Sequence, residues 1–292
     1  MILKLALQKV YWFLYYRVYF KYKLRKPNIV IYYTHRCKCL EVKFGNGFQS
    51  RNEATIILFL EVFSMMKNSF QKNFKIDIFT GDYPVSDKKS LAFSKSIDHK
   101  NITLIPNFDF VFWKEAGISD YERQIEVILI KSKEEPIFNK LFWIGNINTH
   151  KSRELFFNQF GTHPMIECVH FSNGESTGKF VTLEDHCKYN YLIDIEGNGY
   201  SGRIKYLLFT GRVVLIQERK LKTYYHFLLK PFVHFVPVKD DFSDLLEKLD
   251  WLDQNPSISR EIGINGQKFA MENLRKDAVL ENYKKIILDF IK

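Results

Sequence analysis

Three short runs of this chain combine residue types and spacings that could do chemistry. The first is G-N-G-Y-S-G-R over residues 197–203, with Lys205 two positions on. Its glycines, Gly197, Gly199 and Gly202, allow a backbone to reach positive φ and approach a ligand closely. Ser201 can cap the helix that follows, and Arg203 and Lys205 fall in that helix's first turn. Cations there oppose the helix dipole unless an anion binds at that end, so the run reads as a phosphate site. The second run, N-I-N-T-H-K-S-R over residues 146–153, offers the Thr149 hydroxyl and the Arg153 guanidinium at the end of a strand-like segment, which suits a second anion-facing loop. The third is T-G-D-Y-P over residues 80–84, where Asp82 sits on a turn fixed by Gly81 and Pro84. Open α/β sheets keep ligand residues at such places, although turns also use aspartate simply as a turn former.

Other candidates read as structural. Asp194-Ile-Glu196 resembles a metal-binding D-x-D element, but its first acid lies inside a strand covered on both faces. His186 and His234 suit satisfied histidines in apolar surroundings. No P-loop is present.

These runs must be held by regular elements. Apolar, β-branched or aromatic segments at residues 28–34, 74–79, 102–105, 140–145, 189–195, 212–217 and 231–238 read as strands. Helical periodicity covers residues 52–70, 121–131, 154–160, 240–252 and 257 to the end, with a short helical piece at 224–229 and a loop at 35–50. Strands alternating with helices imply parallel sheets covered by helices, in two Rossmann-like halves. The expected division is a basic aromatic segment at 1–26, an N-terminal domain at 27–163 and a C-terminal domain with a helical tail at 164–292.

Composition limits the function. A net charge of +10 with 27 Phe and 16 Tyr favours polyanionic partners. The aromatics fall inside strand-like runs and the cations at their ends, which argues against a nucleic-acid stacking surface. Residues 1–26 carry seven Lys or Arg and no acid, and suit a helix lying on an anionic membrane or packing its aromatic side on the domain. Their longest uncharged stretch, residues 10–16, is too short to span a bilayer, and no cleavage site follows it. Four cysteines read as reduced thiols of a cytosolic protein.

Residues 185–211 (DHCKYNYLIDIEGNGYSGRIKYLLFTG), the run LLKPFVHFVPVKDDFSDLLEKLDWL and the segment INGQKFA resemble glycosyltransferase family 90, most strongly over residues 181–270. TGDYP resembles that family's R-D-Y-P turn, and FWIGNINTHKSR its F-R-G-x-x-T-x-x-x-R loop. The resemblance implies a GT-B-like α/β fold, two Rossmann-like domains with parallel sheets facing across a cleft, and a nucleotide sugar held mainly by the C-terminal one. It implies inverting, metal-independent transfer with a UDP-sugar as co-substrate and no further cofactor. Asp82 then becomes the general base; Thr149, Arg153, Ser201, Arg203 and Lys205, with Gly199 and Gly202, surround the donor diphosphate. Two positions depart from the family: Ile144 replaces the F-R-G arginine, and Gly81 stands where an arginine often precedes the aspartate. The expected acceptor is a lipopolysaccharide-core or other envelope glycan or glycolipid, handled in the cytoplasm, peripherally at the inner face of the membrane. Protein O-glycosyl transfer and a non-catalytic glycan- or nucleic-acid-binding relative are the alternatives.

Overall fold

A computed structural model describes residues 17–24, 28–45, 47–66, 69–172 and 175–292. The chain divides into two compact units, residues 1–121 with 276–292, and residues 122–275.

The first unit is built on β1 (Arg17–Leu24), β2 (Asn28–Thr34), β3 (Cys39–Gly45), β4 (Phe74–Phe79), β5 (Ser90–Ala92) and β6 (Ile102–Leu104). The sheet order is β1-β3-β2-β4-β5-β6. β4, β5 and β6 run parallel, whereas β2 is antiparallel to both β3 and β4. The expected loop at 35–50 therefore contains a strand. Leu40 and Val42 of β3 are buried while Glu41 and Lys43 are half-exposed, the alternation of a one-sided strand. Residues 17–24, expected in a helix, form a strand parallel to β3; the reading of residues 1–16 as a membrane-surface segment lies outside the described residues. The turn between β2 and β3 brings Cys37 and Cys39, expected as free thiols, side by side at a Cα separation of 5.2 Å, within the range a disulfide can span. Helix α1 (Gln49–Met65) buries Ile56, Leu60 and Phe63, and Phe63 stacks on Phe70 beside Tyr33 and Phe74.

The second unit opens with α2 (Tyr121–Lys131), followed by β7 (Phe138–Gly145), α3 (Lys151–Phe160), β8 (Ile166–Ser172), β9 (Glu175–Ser176) and β10 (Tyr189–Asp194). Then come α4 (Ile204–Phe209), β11 (Val213–Gln217), β12 (Val236–Val238), α5 (Leu245–Gln254) and α6 (Pro256–Asn273). Its sheet order, β9-β8-β7-β10-β11-β12, is that of a doubly wound Rossmann sheet, parallel throughout except at β9. Every residue of β11 is buried, as a central parallel strand requires. Of the strand expected at 231–238, residues 236–238 form it; Phe232 takes φ +58°, outside strand geometry.

The last helix, α7 (Lys276–Phe290), belongs to the first unit: Lys276 Nζ lies 2.9 Å from Glu61 on α1, and Val279, Tyr283 and Ile287 are buried. The boundary thus falls at residues 121/122 and not at 163/164, because β7 is hydrogen-bonded between β8 and β10 in the second sheet. The tail likewise leaves the C-terminal unit in which it was expected. Among the described residues no helix is long and apolar enough to cross a membrane.

Candidate functional site

In the second unit the chain reverses its direction across the sheet between β7 and β10, and open α/β sheets bind ligands beyond the carboxyl ends of strands at such a switch point. Two of the runs singled out above leave the sheet there. After β7 comes the 3-10 turn Ile147–Thr149, steadied by the Asn148 amide donating to Asn146 Oδ1 at 2.9 Å. His150 then caps α3 by accepting the Ser152 amide on Nδ1 at 3.2 Å, which places Arg153 in the first helical turn. After β10 comes the glycine turn of residues 197–202.

The two loops are stitched together. Arg153 Nε donates to the carbonyl of Glu196 at 2.9 Å, and its Nη1 and Nη2 lie 3.5 Å from the carbonyls of Asn146 and Ile195. Ser152 Oγ donates to Glu196 Oε1 at 3.2 Å. A β-carbon on Gly197 would stand 3.4 Å from Arg153 Nη2 and 3.7 Å from Thr149 Cγ2, so the turn lies directly against Thr149 and Arg153. Arg203 reaches across to donate from Nη1 to the carbonyl of Ile144, near the end of β7.

This arrangement concentrates positive charge. Burial lowers the Arg153 guanidinium to about 10, and the nearby Arg203 and Arg219 push in the same direction against Asp194 and Glu196. Burial also lowers Arg203, with Asp194 opposing. Both arginines bond neutral carbonyls, which are dipoles and do not cancel their charge. An anion at this edge would.

The structure changes the roles of several residues. Gly197, Gly199 and Gly202 do not use positive φ; among the described glycines Gly117 and Gly211 do. α4 has six residues, too short for its dipole to carry the site, so the guanidiniums supply the field. Ser201 does not cap α4 in the usual way. It is buried, donates its proton to Asp194 Oδ1 at 2.5 Å and accepts the Arg203 amide at 3.3 Å. Lys205 is fully buried and donates to the Gly202 carbonyl at 2.8 Å, which anchors the turn from beneath and takes the ammonium away from solvent. Asp194 and Glu196 are occupied by Ser201, Arg219, Ser152 and Gln217, the last accepting the Glu196 amide at 3.1 Å. Among the described residues no three His, Cys, Asp or Glu come together as metal ligands.

Two histidines border the cluster in neutral form. His186 is lowered to about 3, first by burial and then by Arg203, and its Nδ1 pairs with the Thr182 carbonyl at 2.6 Å. His226 is held well below its ordinary value by burial, Arg219 and Lys222. His234 lies outside β12, near Phe269.

Arg219 is the principal residue that sequence reading missed. It follows β11 by two positions and ion-pairs with Asp194 Oδ2 at 2.8 Å. The strand-end rule that selected Asp82 would have selected it too.

In the first unit Asp82 stands just beyond β4, its carboxylate 2.6 Å from Arg51 Nη1 of α1. Ser94 Oγ donates to the Asp82 carbonyl at 2.8 Å, and Thr80 Oγ1 to Asn52 Oδ1 at 3.0 Å. The side chain of Asp82 is 32% exposed, so a substrate can reach it. A β-carbon on Gly81 would fall 2.5 Å from Phe79 Cζ, so an arginine there would displace that ring. Here a guanidinium comes from α1 instead, with Arg51 also lying 4.4 Å over the Phe48 ring.

The second unit is thus a Rossmann-type α/β body with a cationic, anion-facing switch point, and the first an α/β body presenting an accessible carboxylate beyond a strand. The chain belongs to glycosyl transferase family 90, whose model matches residues 32–292. It is 34% identical over 119 residues to protein O-glucosyltransferase 1 of Mus musculus, covering 41% of this chain and 30% of that protein. With protein O-glucosyltransferase 2 of Danio rerio it shares 25% over 252 residues, covering 78% and 50%. The chain therefore spans half, or less, of the length of these relatives. Among solved structures it is similar to Anabaena HepE in complex with UDP-glucose, at TM-score 0.38 and 9% identity, covering 56% of this chain and 44% of that one. It is also similar to sucrose-phosphate synthase of Thermosynechococcus elongatus, at TM-score 0.43 and 12% identity, covering 93% and 88%.

Proposed function

We propose that this chain is a glycosyltransferase that moves a sugar from a nucleoside-diphosphate sugar to an acceptor hydroxyl. The observation that carries the reading is the convergence of Arg153 and Arg203, both bonded to carbonyls, at the β7/β10 switch point. Family membership supports it. Fixed guanidiniums at a water-poor strand edge stabilise the charge that develops on a departing diphosphate, a preorganised contact whose loss typically costs about 3 kcal/mol.

In the reaction the acceptor oxygen attacks the anomeric carbon while Asp82 takes its proton. The bond from that carbon to the diphosphate oxygen breaks, and its electron pair leaves with the nucleotide, where Arg203 and Arg153 meet it. Arg51 holds the Asp82 carboxylate in one orientation. No metal is required in this scheme, because the arginines take the electrostatic part.

The two relatives named as protein O-glucosyltransferases bring glucose forward as the sugar and a protein hydroxyl as an acceptor. An envelope glycan or glycolipid, the acceptor suggested by the basic N-terminal segment, stands beside it. The test is to incubate the purified chain with a panel of UDP-sugars and measure UDP release with and without acceptor peptide or glycolipid. Release from one preferred UDP-sugar, increased by one acceptor class, is expected; release from none would refute the reading.

A further inference from the structure

We propose that Arg219 and Asp194 form a positioning pair that fixes the phosphate-facing turn, with Ser201 as the link from the pair to Arg203; this rests on the nucleotide-sugar reading above. Asp194 is the last residue of β10, and Arg219 lies two residues beyond β11, its neighbour in the sheet. The Arg219 guanidinium spans both strand ends. Nη1 stands 2.8 Å from Asp194 Oδ2, Nη2 donates to the Asp194 carbonyl at 2.9 Å, and Nε donates to the Gln217 carbonyl at 3.1 Å. Both side chains are 1% exposed.

A buried ion pair is poor evidence of stability, since well-packed apolar replacements are often as stable. Its value here is geometric. Asp194 Oδ1 takes the one proton that Ser201 owns, at 2.5 Å, so the Ser201 hydroxyl has no proton left for a phosphate. Its lone pairs instead receive the Arg203 amide at 3.3 Å, which ties the residue after the turn to the end of β10. Ser201, assigned to the diphosphate by resemblance, thus acts as a brace.

The pair also manages charge. Asp194 is a carboxylate beside a site that must receive an anion. With Arg219 ion-paired to one oxygen and Ser201 hydrogen-bonded to the other, the carboxylate's charge is compensated without drawing in Arg203 or Arg153, whose guanidiniums remain on the carbonyls of Ile144 and Glu196. Removing Arg219 alone would leave a buried, uncompensated carboxylate that repels diphosphate and competes for Arg203.

The test is calorimetric titration of UDP and of uridine into the full chain and its variants, with a thermal melt of each. Because Arg219→Met alone leaves a buried charge and can fail to fold, the deciding variant is the double Asp194→Leu/Arg219→Met, which removes both charges together. The double variant is expected to melt close to wild type, to bind UDP at least about tenfold more weakly, and to bind uridine unchanged; Arg219→Lys should recover part of the UDP affinity. A merely structural pair would not separate UDP from uridine. Wild-type UDP affinity in the double variant would overturn the proposal. If wild type itself fails to bind UDP, the nucleotide-sugar reading falls first and takes the proposal with it.

Discussion

In the proposed reaction Asp82 removes a proton and the arginines stabilise charge, and substitutions should separate the two. Asp82→Asn keeps the shape of the turn but cannot accept a proton. It should lower transfer by roughly a hundredfold to ten-thousandfold while UDP affinity stays at the wild-type level, checked by product release and calorimetry. Transfer at the wild-type rate would remove Asp82 from the role of base. His186 sets a pH limit on stability. Its folded value, about 3, lies below the ordinary 6.5, so below pH 6.5 the unfolded chain binds a proton that the folded one refuses. Stability is complete above that value and is lost as pH falls from about 6.5 towards 3, with a slope near 1.4 kcal/mol per pH unit for this one residue. His226, also depressed, adds in the same direction. Urea melts between pH 7.5 and 5 check this, and His186→Gln should flatten the slope. At this scale the sequence showed which residue types lay at strand ends but not where their protons go. Ser201 and Arg203 are adjacent candidates in the chain, yet one hydroxyl is spent inward on Asp194 while the other residue's guanidinium faces the edge of β7.

The site elements depend on a tight join behind the turn. Gly211, two residues beyond the end of α4, takes φ +69°, and α6 crosses so close that a β-carbon on Gly263 would lie 2.4 Å from the Gly211 carbonyl oxygen. Gly263→Ala must push α6 off that carbonyl and should cost about 1–3 kcal/mol in denaturant unfolding. Gly211→Ala places a side chain in left-handed backbone, 3.2 Å from Gln267 Nε2, and should cost about 1–2 kcal/mol. The strand and helix pattern around this join was legible because buried strands such as β10 and β11 are short apolar runs between glycines or charges. β3 was hidden because its alternation of Leu40 and Val42 with Glu41 and Lys43 sits among cysteines and glycines that mimic a loop. The residues before β12 escaped because one positive φ at Phe232 ends strand geometry without a glycine to announce it.

At the scale of the whole chain, α7 shows what periodicity cannot convey: an amphipathic pattern marks a buried face but not the sheet it covers. Val279, Tyr283 and Ile287 bury against the first unit, although they follow the second in sequence. Removing residues 276–292 should destabilise the first unit by about 5 kcal/mol or more, counting roughly 1.5–3 kcal/mol for each of those three side chains. Scanning calorimetry should show the loss confined to one transition. The boundary near residue 121 was missed for a related reason, since both partners of β7, β8 and β10, follow it in the chain, and the apolar run of β7 does not announce that it pairs with them. The family and its α/β architecture were legible through the resemblance; the counter-charge from Arg219 and the Arg51–Asp82 pair were not, because each joins residues far apart along the chain. The central claim is that the β7/β10 switch point holds a nucleoside diphosphate through Arg203. Its most direct test is calorimetric titration of UDP into wild type and Arg203→Ala. Saturable binding by wild type, weakened about tenfold to a hundredfold in the variant, is the expected result for a lost charged hydrogen-bonding contact; equal affinity in the two proteins would contradict it.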